Sequence, residues 1–368
     1  MSLNAVIDVA VGILQRQDGA FLLAQRPDGK PYSGWWEFPG GKLEANETAL
    51  QALARELHEE LGITLVTATP WVTLTHSYTH ATVRLHFCRV SQWLSEPQGR
   101  EGQALQWVQL APISPTEHQA ARYAHQQTLS ELARQPMLSE TDRARLGAAS
   151  PEQALGLRLE PAVGPLLPAS LPPLKWMMLP DSYAITNISR TSPSCFFDRL
   201  DEAFEAGIRL IQFREPDWPQ GSDDPNLLRV LQQLVERAHA HGAKVLVNSI
   251  HPRSWSAIAD GVHVRATDLS LHRSREEWIA PGQWLGASSH SLLELTQAQS
   301  LGADFAVLGS VLPTDSHPGN PGMGWAKFEQ LCQQVSLPVY ALGGQGEATR
   351  GEAAKHGAHG IAAIRAFW

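Results

Sequence analysis

The stretch Phe38-Pro39-Gly40-Gly41-Lys42-Leu43-Glu44-Ala45-Asn46-Glu47-Thr48-Ala49-Leu50-Gln51-Ala52-Leu53-Ala54-Arg55-Glu56-Leu57-His58-Glu59-Glu60-Leu61-Gly62-Ile63 decides how the first third of the chain is read. Leu50, Leu53, Leu57 and Leu61 recur at intervals of three and four, so the spacing predicts an amphipathic helix, capped by Asn46 and stopped by Gly62. At about 100° per residue, Glu56, Glu59 and Glu60 share one flank of that helix, and Glu47 stands just ahead of it. Like charges three and four apart destabilise a helix by a few tenths of a kcal/mol each. Such crowding is explained by carboxylate oxygens gathered around a divalent cation, or else by a solvated acidic face. The adjacent Gly40 and Gly41 favour the cation, because a glycine pair lets backbone carbonyls and amides come close to a metal-phosphate group.

Working outward, Val6-Ile7-Asp8-Val9-Ala10-Val11-Gly12-Ile13-Leu14 and Phe21-Leu22-Leu23-Ala24-Gln25-Arg26 read as strand, turn and strand. Downstream, Val83 to Val90 alternates as a strand, and Gly99-Arg100-Glu101-Gly102-Gln103 precedes Leu105-Gln106-Trp107-Val108. Taken together, residues 4–132 resemble the Nudix hydrolases, and among them the MutT-type 8-oxo-dGTP diphosphatases. The resemblance implies an α/β fold, a Nudix α/β/α sandwich with a mixed sheet. It implies magnesium, with manganese as the substitute ion, bound by the Gly40 carbonyl, Glu56, Glu59, Glu60 and Glu101. Catalysis would fall to Glu56, Glu59 and Glu60, with Lys42 on the departing charge. Arg26, Glu37, Phe38, Pro39, Gly40 and His125 would line the nucleotide pocket. The implied substrate is a nucleoside triphosphate: a glutamate positions or deprotonates water, and in-line attack releases pyrophosphate, taking 8-oxo-dGTP to 8-oxo-dGMP. Another nucleotide or diphosphate compound is the alternative substrate. Arg55 is expected to orient the glutamates rather than touch substrate.

One departure bears on the base. The MutT type carries an asparagine near the end of the domain, and alignment of Tyr123-Ala124-His125-Gln126-Gln127-Thr128-Leu129 puts His125 there. A neutral imidazole donates from one nitrogen and accepts at the other, so it replaces an amide only if both are used separately. His125 is therefore either a base-reading group or a surface histidine on the last helix.

At 368 residues the chain exceeds what one core usually supports, which predicts two domains. The expected division is residues 1–135, a linker over 136–180 in which Pro161, Pro165, Pro168, Pro172 and Pro173 bunch together, and a second domain over 181–368. The net charge of −8 argues against binding duplex nucleic acid or an anionic membrane, whereas a free nucleotide remains compatible because magnesium supplies the positive charge. Cys88, Cys195 and Cys332 are far apart and form no C-x-x-C, so neither a disulfide scaffold nor a zinc site is signalled, and a cytoplasmic setting is expected. The apolar start Ala5–Leu14 is interrupted by Asp8 and lacks a basic flank, so it does not read as a signal peptide. No run of about twenty apolar residues exists to span a membrane.

From Tyr183 onward, apolar strands alternate with helices: Tyr183–Thr186, Leu210–Phe213, Val245–Asn248, Gly261–Val264, Leu285–Ser288, Phe305–Gly309, Val339–Leu342 and Gly360–Ile364 are read as strands. Helical stretches such as Cys195–Ala206, Asn226–His241 and Leu292–Leu301 lie between them. Such units close most naturally into a C-terminal TIM (β/α)8 barrel, with a doubly wound open sheet as the alternative. In a barrel the site lies at the C-terminal strand ends, where Arg214, Glu215, Asn248, Asp268, His290 and Thr314-Asp315-Ser316 fall. Gly343, Gly344 and Arg365 sit where barrels commonly bind phosphate. Gln212-Phe213-Arg214-Glu215, Gly261-Val262-His263-Val264, Gly286-Ala287-Ser288-Ser289-His290-Ser291, Leu308-Gly309-Ser310-Val311-Leu312-Pro313-Thr314 and Ala341-Leu342-Gly343-Gly344 resemble the thiamine phosphate synthase and TenI family. That resemblance implies a thiazole or thiamine phosphate as ligand, and His290 as the proton shuttle of a thiazole tautomerase. The synthase type has a lysine where Pro216 stands, an aspartate where Ser249 stands, and a second lysine near His317. Their loss removes charge-assisted contacts worth roughly 1.5–3 kcal/mol each, so the barrel is expected either to be a tautomerase or to be a ligand-sensing module, with weak synthase activity a third reading.

Overall fold

The computed structural model describes residues 6–78, 81–133, 150–270, 274–314, 319 and 321–368. The chain forms two compact units, a first within Met1–Met178 and a second made chiefly of Leu179–Trp368.

In the first unit β1 (Ile7–Leu14), β2 (Phe21–Gln25), β3 (Trp36–Glu37) and β4 (Gly40–Lys42) precede α1 (Ala49–Leu61). There follow β5 (Thr64–Ser77), β6 (Thr82–Leu94), β7 (Leu105–Pro112), α2 (Pro115–Ala133), α3 (Pro151–Leu155), β8 (Leu157–Glu160) and α4 (Leu171–Trp176). One sheet has the order β4-β1-β6-β5 and is mixed, because β1 pairs antiparallel with β4 and parallel with β6. A second sheet has the order β3-β2-β7-β8. The α/β sandwich with a mixed sheet is thus as expected. Ala52, Leu53, Leu57 and Leu61 form the buried stripe of α1 and join Ala10, Leu14, Leu22, Cys88 and Val90 in one core.

The helix begins later than the sequence reading had it. Thr48 is the N-cap: its hydroxyl accepts from the Gln51 backbone N–H, and the Gln51 side chain accepts from the Thr48 N–H. This reciprocal pair satisfies two donors at the helix start, whereas Asn46 sits in a tight turn at φ 69°. Gly62 ends the helix at φ 70°, as expected.

The described part of the expected linker is also folded. β8 pairs antiparallel with β7 from Gln109–Glu160 to Pro112–Leu157, and Leu166, Leu167, Ala169 and Leu174 are buried. Residues 150–178 therefore belong to the first unit. Leu157 and Leu159 turn inward while Arg158 and Glu160 face water, so a period of two was present between the prolines but confined to four residues.

The second unit contains β9 (Ser182–Ile185), α5 (Pro193–Glu205), β10 (Leu210–Phe213), α6 (Pro225–Ala240), β11 (Lys244–Asn248), β12 (Gly261–Val264) and β13 (Trp284–Ser289). It continues with α7 (Leu292–Ser300), β14 (Phe305–Leu308), α8 (Trp325–Cys332), β15 (Val339–Leu342), α9 (Glu347–Lys355) and β16 (Gly360–Ala363). These eight strands are all parallel and closed: β16 returns to β9 through Ile361–Ser182, Ala362–Tyr183 and Ala363–Ala184. Closure settles the barrel against the open sheet. After β11 and β12 the connections use short 3-10 turns such as Arg253–Ile258 and Ala266–Asp268. The interior holds Tyr183, Phe305 and Tyr340, with the Tyr183 and Phe305 rings edge to face at 5.2 Å. No helix among the described residues is long and apolar enough to cross a membrane.

His263 is fully buried inside this barrel, 3.1 Å from the Tyr183 hydroxyl and 2.9 Å from the Ser288 hydroxyl. Burial pushes its imidazolium pKa down from 6.5 to about 3. The unfolded chain therefore takes up a proton below pH 6.5 that the folded barrel refuses until about pH 3. Stability should fall across that window as pH drops, approaching about 1.4 kcal/mol per pH unit for one proton. Urea unfolding of the intact chain at pH 7, 5.5 and 4.5 measures this slope, which His263→Gln should make shallower by about one proton.

Candidate functional site

In the first unit, β4 and α1 bring the expected residues together through two glycines. Gly40, opposite Val11 on β1, has φ 150°, and a Cβ there would lie 2.1 Å from the Ala10 carbonyl oxygen. At Gly41 a Cβ would lie 2.0 Å from the Glu56 carboxyl carbon. Only a bare backbone leaves room for that carboxylate against the loop. Arg55 then fixes the acidic residues: its guanidinium donates to Glu47 at 2.9 and 2.8 Å, to Glu56 at 2.8 Å and to the Lys42 carbonyl at 3.0 Å. Its fork therefore ties Glu47 and Glu56 to the loop that enters α1. Those bonds hold the Glu47 carboxyl down at about 2. Glu59 is 60% exposed and 3.7 Å from the same guanidinium. The Lys42 side chain is exposed.

The C-terminal end of α1 recruits the remaining carboxylate. Arg100 N–H donates to the Glu60 carbonyl at 2.9 Å, the Gln103 side chain donates to it at 3.1 Å, and the Gln103 amide oxygen accepts from Glu101 N–H at 2.8 Å. The loop so docked sets Glu101 beside Glu60, and Lys30 pairs with Glu101 at 3.0 Å. Burial, then the Glu101 and Glu56 charges, push the Glu60 carboxyl up to about 7. No three His, Cys, Asp or Glu side chains among the described residues form a finished metal cage. Arg55 on Glu56 and Lys30 on Glu101 occupy the oxygens that such a cage would use. The donor set nonetheless fits a hard divalent cation: it is all oxygen, and its ionised form at Glu60 is opposed by neighbouring carboxylates whose repulsion a cation relieves.

The pocket residues separate into two groups. Arg26 donates to both Glu37 oxygens at 2.7 and 2.8 Å and to the Pro31 carbonyl at 2.8 Å. Protein atoms crowd the Glu37 carboxyl and raise its pKa, while 29% of its side chain still meets water. Phe38, by contrast, is 3% exposed and packs on Phe21 and Phe87, so its ring serves the core. Pro39 is buried. His125 lies half-buried on α2, and its side chain has no hydrogen bond among the described residues. Tyr78 and Tyr32 were missed: their rings lie 5.4 Å apart, and Tyr78 senses Glu37 and Arg26. No periodicity or motif marks them.

At the barrel mouth, Thr314, Gly343, Gly344 and Arg365 line one cavity of about 240 Å³ together with Ser310 and Gln345. Gly343 at φ 95° and Gly344 at φ 65° keep backbone facing it. The buried hydroxyl of Thr314 has no hydrogen-bond partner among the described residues. Gln345 was missed; Ser310 was legible in the Leu308–Thr314 match. The other expected residues stand apart. Asn248 donates to the Gln212 side chain at 2.8 Å and accepts from Ile250 N–H at 3.0 Å, a fully structural role. Asp268 is held by Arg265 at 2.7 and 3.0 Å and by the Ser249 hydroxyl at 2.6 Å. Arg214 lies near Arg265, and burial lowers its pKa. Glu215 accepts from the Ile188 and Ser189 backbone N–H groups. His290 is 63% exposed at the start of α7, 3.4 Å from Glu294, and does not line the cavity. Asp315, Ser316 and His317 lie outside the described residues.

Fold and site together define a two-part α/β protein, a sandwich with a cluster of carboxylates and a closed parallel barrel with a polar cavity at its mouth. Comparisons with known proteins agree. The NUDIX domain family matches residues 10–123, and the thiamine monophosphate synthase family matches residues 182–367. The 8-oxo-dGTP diphosphatase of Haemophilus influenzae is 41% identical over 104 residues, 28% of this chain and 76% of that protein. The thiamine-phosphate synthase of Desulfitobacterium hafniense is 31% identical over 186 residues, 50% of this chain and 87% of that protein. The thiamine-phosphate synthase of Synechococcus is 32% identical over 173 residues, but the chain spans only 46% of its length. The chain belongs to the Nudix hydrolases through its first unit and to the thiamine monophosphate synthase family through its second.

Gly41→Ala tests the close approach at Glu56. The obstructed atoms end a flexible side chain, so the carboxylate can move aside and the melting temperature should change by only a few degrees. Misplacing it should still lower turnover by about tenfold or more, read by phosphate or pyrophosphate release alongside a thermal melt.

Proposed function

We propose that the first unit hydrolyses oxidised purine nucleoside triphosphates, 8-oxo-dGTP to 8-oxo-dGMP and pyrophosphate, and so cleans the nucleotide pool and limits mutation. The observation that carries this reading is the crowding of Glu56, Glu60 and Glu101, which leaves the Glu60 carboxyl at about 7. The Gly40 carbonyl, Glu56, Glu59, Glu60 and Glu101 would hold magnesium or manganese. When bound, that ion supplies charge neutralisation on the polyphosphate. Arg55 keeps Glu47 and Glu56 in place throughout. A carboxylate of α1 orients the attacking water and takes its proton. Lys42, exposed at the end of β4, meets the departing charge. Arg26 and Glu37 present a polar edge to the base, and His125 is left to surface solvation. The likeness to the Haemophilus influenzae 8-oxo-dGTP diphosphatase supports the substrate. Free thiols at Cys88, Cys195 and Cys332 support a reducing, cytoplasmic setting.

Pyrophosphate release by the intact chain from 8-oxo-dGTP and from dGTP, with magnesium and with a chelator, tests this. The oxidised nucleotide should be preferred, the chelator should abolish turnover, and Glu59→Gln and Glu60→Gln should each lower it by at least about a hundredfold with the fold intact. Equal use of both nucleotides removes the oxidised-base assignment; near-normal rates in both variants remove the metal site.

For the barrel, the cavity of about 240 Å³, with its paired glycines and a Thr314 hydroxyl that has no hydrogen-bond partner among the described residues, supports binding of a thiazole or thiamine phosphate as a regulatory ligand. The exposed His290 favours this over tautomerase chemistry. Calorimetry on the intact chain should show thiamine phosphate or thiazole phosphate binding that Arg365→Ala weakens; heat signals identical to buffer for both would refute it.

A further inference from the structure

Strand β3 is only two residues long, too short to fix itself by its own ladder, yet it carries Glu37. β2 secures one edge, pairing Ala24 with Glu37 and Gln25 with Trp36. The other edge is secured by chain that lies beyond the Nudix motif. Trp36 N–H donates to the Pro165 carbonyl at 2.8 Å, and Leu167 N–H donates to the Trp36 carbonyl at 2.9 Å. Leu166 thereby runs parallel beside Trp36. Gly164 lies against the Trp36 indole, where a Cβ would come within 3.3 Å of Nε1. A few residues later the Ala169 backbone hydrogen-bonds the Tyr78 phenol, which interacts electrostatically with both Glu37 and Arg26. Leu166, Leu167, Ala169 and Ser170 are buried, so this is a packed element.

We propose that residues 164–170 are a positioning element of the nucleotide pocket, locking the Glu37 strand and the Tyr78–Tyr32 pair into one wall against which a purine base stacks and hydrogen-bonds. Base discrimination in the hydrolase is then set in part by a turn encoded some forty residues downstream of its family motif region, 10–123. The backbone bonds hold β3 in register, Arg26 holds the Glu37 carboxylate, and the Tyr32 and Tyr78 rings pack at 5.4 Å with a 53° tilt, which leaves the face of one ring for a base. The inference rests on the nucleotide reading of the first unit.

The test uses the full chain and two variants. Leu167→Pro removes the N–H that the Trp36 carbonyl accepts, and Tyr78→Phe removes the oxygen that Ala169 engages. Each should raise the KM for 8-oxo-dGTP by about tenfold with kcat within about twofold, and each should shift the 8-oxo-dGTP to dGTP ratio of kcat/KM by about threefold or more. A purely structural role would lower the melting temperature and leave KM and that ratio untouched, and this result overturns the proposal. If Leu167→Pro does not fold, Tyr78→Phe decides alone by the same readout. Failure of the unmodified chain to turn over any nucleoside triphosphate removes the nucleotide reading itself, and the pocket element with it.

Discussion

Arg55 holds together what charge alone would drive apart. One guanidinium spans Glu47, Glu56 and the Lys42 carbonyl, and so ties α1 to the loop that enters it. Its rigid fork suits this task, since a lysine would offer a point charge without the geometry to grip two carboxylates and a carbonyl at once. Gly41 makes the arrangement sterically admissible and Gly40 brings β4 onto β1. The remaining repulsion collects at Glu60, where Glu101 is delivered by a loop docked on the end of the helix. The fold thus builds a concentration of negative charge and stops short of neutralising it. That residual field is what a divalent cation and a polyphosphate would complete.

Much of this was legible in the sequence, for physical reasons that differ by element. The barrel strands are short apolar runs bounded by breakers, and every one lies within a residue or so of its expected place. The stripe Leu53, Leu57, Leu61 fixed the buried face of α1, and Gly62 its end. Arg55 was readable because Glu47, Glu56, Glu59 and Glu60 crowd the same short segment. The N-cap was not, because Asn46 and Thr48 are both good caps, and only the reciprocal bond to Gln51 chooses between them. The stretch 150–178 misled for a related reason. Its prolines suggest a linker, but Pro165 needs no N–H to accept from Trp36, and β8 needs only four alternating residues to find β7.

The barrel site shows where residue type ceases to predict role. Asn248 and Glu215 are polar residues at strand ends, yet both are consumed by internal hydrogen bonds. Asp268 is likewise taken up by Arg265 and Ser249. His290 sits at the matching position and still faces solvent, because the start of α7 turns it toward Glu294. The cavity at the mouth combines the bare backbone of Gly343 and Gly344 with the side chains of Ser310, Thr314, Gln345 and Arg365.

If the carboxylates of α1 and the Glu101 loop hold a divalent cation as proposed, the ion must bind saturably and depend on Glu60. Titration of the metal-free intact chain with manganese, followed by the loss of the free-ion electron paramagnetic resonance signal, measures this directly. A saturable site that Glu60→Gln weakens by at least about tenfold is expected. Manganese that fails to bind saturably, or that binds the Glu60→Gln chain as well as the unmodified one, would contradict it.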